Sequence, residues 1–257
     1  MDYRLLHALF EDLAEPDAVV ETLHVFRHWV FARTTGGCGV VCIPSPMTPT
    51  LCRGDTDISD WRGRPVREVI EFGFATNEVV HRAAAMACLN AGIRPPKRPL
   101  YGDAILHMSE RIKEEPSCFI GHFDTGARWR AAGYPVTIVE LVPREGDIHW
   151  NDAQRPLREA SIVFITGLTL LNDTFHAVVD RTPNAAVRIL VGPTVPVSPR
   201  LFAYGVHVAG GTAIRDAERL NEYLQYGGTS MKRAPSGAVE RFNIVAPGVE
   251  TEVSHVA

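Results

Sequence analysis

Apolar residues along the first third of the chain recur at two different spacings. Leu5, Leu6, Leu9, Phe10 and Leu13 return every three or four positions, which places them on one face of a helix over 3–14. Residues 19–34, "VVETLHVFRHWVFART", are rich in β-branched and aromatic types. A glycine turn, "TTGGCG", then leads into "VVCIP", and the whole predicts a β-hairpin. Segment 66–92 reads as a helix, a break and an alanine-rich helix, with Asn77 as cap and Gly92 just past its end.

The pattern changes near residue 95. "GIRPPKRPLYGD" (92–103) is rich in proline and basic residues and reads as a linker between units 1–95 and 105–257. Beyond it, "GDAILHMSERIKEE" predicts a helix, followed by short apolar runs that read as buried strands: "SCFIGHF", "TIVEL", "ASIVFITG", "AVRILVGP" and "GVHVAGG". "NDAQRPLRE" reads as a polar turn, "DTFHAVVDRT" as a helix capped by Asn172 or Asp173, and "DAERLNEYLQYGG" as a closing helix. The tail from 235 reads as irregular with one late strand. Continuous apolar strands alternating with helices imply a mostly parallel sheet covered on both faces. The fold class is therefore α/β, a small α+β unit followed by a larger parallel-sheet unit.

Composition narrows the function classes. The chain has 257 residues, 46% hydrophobic and 22% charged, with a net charge of −4. No Lys/Arg run offers a phosphate-tracking surface, so nucleic acid is not expected as a partner. Acidic residues interrupt the first apolar segment, which is unlike a signal peptide, and no apolar run approaches the roughly 20 residues of a membrane span. Five scattered cysteines imply unbridged thiols and a cytoplasmic setting.

In an open parallel sheet, ligands bind beyond the carboxyl ends of the strands. Each predicted strand end carries polar or glycine residues: Gly121 and His122; Glu140 with Arg144, Asp147 and His149 in "ELVPREGDIHW"; Thr166, Gly167, Thr169 and Asn172; and Gly192, Pro193 and Thr194. These are the candidate ligand-binding positions. His122, Glu140 and Asp147 are the candidate acid/base set, because a carboxylate orients an imidazole and raises its pKa. Arg144 is a candidate clamp for a substrate carboxylate, and the amides of Gly167 and Gly192 for an anion. "GHFDTGARWRAAG" lacks the G-x-G-x-x-G fingerprint, so tight NAD or FAD binding is not expected. Metal ligands could come from His122, Glu140, Asp147 and His149, with Cys38 and Cys42 reaching across. For that C-x3-C pair, and for His24 and His28 on a shared strand face, packing is the favoured role.

Taken in order, "TTGGCGVVC", "AMACLNAG", "FIGHF", "VELVPREGDIH", "FITGLTLLNDT" and "LVGPTVPVSPRLFAYGVHVAGGT" resemble a bacterial and archaeal family labelled "putative heavy-metal chelation". The resemblance covers nearly the whole chain. It implies a front domain like the enolase N-terminal domain, a Rossmann-like rear domain and a site at their junction. Leu168 stands where a hydroxyl residue is expected, and Thr194 where serine is usual. The leading expectation is a small-molecule binding protein or enzyme linked to heavy-metal chelation or metallophore metabolism, with a divalent metal ion as the one candidate cofactor. The alternatives are a metal-independent lyase or cyclase acting on an amino-acid-derived or nucleoside-containing substrate in biosynthesis, and a non-catalytic subunit. A homo- or hetero-dimer is expected.

Overall fold

The computed structural model describes residues 3–43, 58–97 and 99–249. Helix α1 (Tyr3–Phe10) buries Leu5, Leu6, Leu9 and Phe10, as its apolar spacing requires. Strands β1 (Val20–Val25), β2 (Trp29–Thr34) and β3 (Gly37–Cys42) form an antiparallel meander. The hairpin reading thus gains one strand, because the chain also turns at 26–28. His28 lies in that turn, so it does not share a strand face with His24, whose ring instead meets the Asn221 side chain at 2.8 Å.

Helix α2 (Val66–Ala75) packs on α3 (Val79–Gly92), and α3 covers one face of this small sheet. The run of alanines in α3 has a packing reason. A Cβ at Gly39 would stand 2.0 Å from the carbonyl oxygen of Ala87, so helix and strand meet almost backbone to backbone. Gly92 ends inside α3 rather than beyond it, and Asn77 caps nothing there; its side-chain oxygen accepts from Arg82 at 3.2 Å.

The larger sheet has eight strands in the order β4-β11-β10-β9-β8-β5-β6-β7. They are β4 (Leu100–Tyr101), β5 (Ser117–Ile120), β6 (Val136–Glu140), β7 (Ile148–His149), β8 (Ile162–Thr166), β9 (Val187–Val191), β10 (Val208–Ile214) and β11 (Val239–Val245). From β7 to β10 every pairing is parallel; β11 and β4 are antiparallel. This is the mostly parallel α/β sheet expected, and helices α4 (Asp124–Ala131), α5 (Gln154–Glu159), α6 (Leu168–Leu171), α7 (Phe175–Arg181) and α8 (Ala217–Gln225) lie between its strands in the chain.

Strand residues alternate between two cores. Ile162 and Phe164 of β8 join Phe119, Met108 and Ile112 on one face, while Val163 and Ile165 join the core that also holds α1 and α3. That second core runs without a break from the front unit into the rear one. A third cluster packs Trp29, Phe31 and Val40 against Leu220 and Leu224 of α8 (Ala217–Gln225), so β2 is buried on both faces.

Two further local expectations fail. Residues 103–116 form two 3-10 turns, Leu106–Met108 and Arg111–Lys113, not one helix. "NDAQRPLRE" contains a 3-10 turn and the helix α5 (Gln154–Glu159) rather than a plain turn. Cys38, Cys42, Cys88 and Cys118 are free thiols; Cys52 lies outside the described residues. Among the described residues no helix is long and apolar enough to cross a membrane.

Candidate functional site

The order β6-β5-β8 means that the chain leaves β5 toward one side and later returns on the other. The carboxyl ends of β5 and β8 therefore diverge, which opens a crevice. Gly121, Glu140, Thr166, Thr169 and Asn172 line it, together with Trp150, around a small cavity of about 50 Å³. Gly121 follows β5 at φ +106°, and a Cβ there would stand 2.9 Å from the Thr166 methyl group; only glycine lets β5 leave the sheet this close to β8.

His122, Glu140 and Asp147 come together beside this crevice. Burial holds the Glu140 pKa above the ordinary carboxylate range, outweighing the nearby backbone N–H groups of His122 and Leu141, which favour its charged form. The Asp147 side chain has 0% exposure. Burial pushes its pKa up, but Arg130, at 2.7 Å, and the Arg144 amide, at 3.1 Å, more than offset this and hold it below the ordinary range. The His122 ring nitrogen Nδ1 lies 3.5 Å from the same carboxylate without a hydrogen bond. A small movement of the ring would complete a carboxylate-oriented imidazole, the arrangement needed for proton transfer.

Other candidates have different duties. The Arg144 backbone amide, not its guanidinium, meets Asp147, and the Gly146 carbonyl accepts from Arg130 at 2.7 Å. The His149 ring accepts from the Asn151 amide at 3.2 Å and so starts the next turn. Thr169 donates to the Thr166 carbonyl, and the Asn172 side-chain oxygen accepts from Thr174 in a local turn before α7 (Phe175–Arg181). No side-chain cap bonds the start of α7. The amides of Gly167 and Gly192 are not open to an anion. They donate to Val191 and Gly210 carbonyls at 3.1 and 3.0 Å, as each strand end continues the sheet ladder for one residue.

Thr194, Gly192 and Pro193 do not share the crevice. Thr194 is buried, and its hydroxyl accepts from the Cys42 amide at 3.2 Å, tying the two sheets together. Gly192 and Pro193 instead line a larger cavity of about 260 Å³, between the ends of β9 and β10 and the front sheet. Its walls include Trp29 and Cys42 from the front, Phe123 and Ala104 from the rear, and residues 229–232 from the loop after α8. The sequence reading missed this loop and β11's contribution. Neither carries a glycine-rich or ionisable strand end, and they reach the cavity only because β11 returns antiparallel beside β10.

These donors do not fit a protein-held metal ion. Both Asp147 oxygens are occupied by hydrogen-bond donors, burial disfavours the charged form of Glu140, and burial pushes the Cys42 thiol up to about 11, so it keeps its proton at neutral pH. Among the described residues no group of three or more His, Cys, Asp or Glu is placed to hold a metal.

Comparison with known proteins follows the same architecture. Two crystal structures of proteins of unknown function from the DUF364 family share the fold. The one from Desulfitobacterium hafniense has a TM-score of 0.81 at 19% identity, covering 95% of this chain and 98% of that one. The one from Pyrococcus horikoshii has a TM-score of 0.76 at 16% identity, with the same coverage. An uncharacterised protein of Methanocaldococcus jannaschii is 45% identical over 78 residues; that match spans only 30% of each chain. A family model described as "Putative heavy-metal chelation", DUF4213, matches residues 7–93. A second model with the same description, DUF364, matches residues 103–243, more than half of the chain, and the chain belongs to that family.

Proposed function

We propose that this protein binds a small organic molecule at the junction of its two sheets. The observation that carries the reading is the 260 Å³ cavity, to which both sheets and the 229–232 loop contribute walls. It lies at the carboxyl ends of parallel strands, where α/β sheets hold ligands, and its size approaches the lower end of ligand pockets, about 300 Å³. The family description and the absence of a fitting donor set are reconciled if the ligand, rather than the protein, carries the metal-chelating groups. Lys232 is exposed on the wall, where it can meet an acidic group on such a ligand.

The test is to purify the chain without chelator, denature it, and identify released organic compounds and metals by mass spectrometry. A stoichiometric organic compound is expected. Thr229 is exposed on the covering loop, so Thr229→Trp should fill the cavity and abolish retention with little change in melting temperature. A chain that retains nothing, or a Thr229→Trp variant that retains the compound, would contradict the reading.

A second reading is acid/base catalysis of elimination or cyclisation, favoured by the His122 ring 3.5 Å from an Asp147 carboxylate already held by Arg130. Under it, His122→Gln abolishes conversion of the retained compound but not its binding. Conversion that survives His122→Gln would exclude this role.

A further inference from the structure

The junction cavity contains a polar group that the strand-end rule does not find. Asn243 lies in the middle of β11, between β4 and β10, and is only 3% exposed. Its amide nitrogen donates to two carbonyls, Leu100 at 3.1 Å and Gly102 at 3.2 Å. Carbonyls only accept, so these two bonds fix which end of the amide is nitrogen. They also use both of its hydrogens.

The side-chain oxygen accepts no hydrogen bond among the described residues. Its position is marked by the opposite strand: a Cβ on Gly210 would stand 2.4 Å from it. The oxygen therefore occupies the space above the Gly210 backbone that any other residue would fill, and Gly210 and Asn243 both line the cavity. An acceptor locked in direction on a cavity wall, with no protein donor among the described residues, is open to a donor inside the cavity.

We propose that Asn243 is the specificity residue of this cavity, and that its oxygen accepts a hydrogen bond from an N–H group on a compact, mostly apolar ring system. This rests on the junction-cavity reading and specifies its ligand class. The rest of the wall suits such a ring. Phe123, Trp29 and Ile105 are apolar, and Gly192 at φ +131° presents bare backbone to the space. The Trp29 indole N–H already donates to the Gly228 carbonyl at 2.9 Å and does not compete for the Asn243 oxygen.

The experiment uses a matched pair of probes, indole and benzofuran, which have nearly the same shape but differ in an N–H donor versus an ether oxygen. Each is titrated by calorimetry into the full chain and into Thr229→Trp. Indole should bind about tenfold more tightly than benzofuran, the value of one buried hydrogen bond, and Thr229→Trp should lose both. Equal affinities would overturn donor recognition by Asn243 while leaving the junction cavity as a binding site. An indole preference that survives Thr229→Trp would put the acceptor elsewhere and overturn the inference. Binding of neither probe at millimolar concentration would overturn it too, and the retained-compound measurement separately decides the reading beneath it.

Discussion

Asp147 and Glu140 share one turn region but respond to pH in opposite senses. The folded-state pKa of Asp147 lies below its ordinary value because Arg130 and the Arg144 amide favour the charged form over the penalty of burial. Its stabilisation is complete above an ordinary aspartate pKa of about 4 and is lost as pH falls through the folded value. Asp147→Asn should therefore cost about 2–3 kcal/mol at pH 7, the worth of hydrogen bonds to a charged group, and the cost should shrink below about pH 4. Denaturant melts at pH 7 and pH 3.5 check this; an equal cost at both would contradict it. Glu140 is raised by burial, so its ionisation opposes folding. The penalty is absent below its ordinary pKa of about 4.3 and full above the folded value. Glu140→Gln removes that penalty at pH 7 but weakens the attraction to the nearby backbone N–H groups, so the two effects should cancel to within about 1 kcal/mol. A loss above about 2 kcal/mol would make Glu140 chiefly a loop-ordering residue. That His122 and Glu140 stand at neighbouring strand ends was legible in the sequence, because recognisable buried strands end there; that their side chains come together with Asp147 was not, because Asp147 is brought in by the loop after β6. Asn243 was not, since nothing in "VERFNIV" marks an asparagine whose partners lie on strands far away in the chain.

Elements were legible where burial is two-sided. β8 is a short strand of apolar residues ended by Thr166, and β9 is apolar but for Arg188, because both faces are covered, and they read as strands for that reason. α5 was missed because "QRPLRE" is polar with an internal proline and buries only Leu157. Residues 103–116 misled in the other direction. Ile105, Met108 and Ile112 keep a near-helical spacing, but the segment only needs to lay those side chains on the sheet, and two short turns do so. The contact between α3 and β3 gives the sharpest prediction at this scale. Gly39→Ala would force a methyl group into the Ala87 carbonyl, so helix and strand must separate. Overpacking of this kind costs about 1–3 kcal/mol or more, and the melting temperature of Gly39→Ala should fall by several degrees. An unchanged melting temperature would mean that α3 is not seated on β3 as described.

At the scale of the whole molecule, the unbroken core from α1 and α3 through β5, β8 and β9 argues against independent melting of the two sheets. Thr194 bonding to the Cys42 amide, and α8 packed on β2, add links between them. Calorimetry should record one transition, and two separated ones would contradict a shared core. The large sheet ends in β4 on one side and β7 on the other, each only two residues long. An edge strand that short offers an incoming chain almost no ladder to extend, so growth by strand addition onto β4 or β7 is disfavoured. Two copies meeting at these outermost strands could share a ladder of only two residues. On heating, thioflavin fluorescence should therefore rise only after near-UV dichroism is lost; a rise before it would show that an edge had been left unguarded.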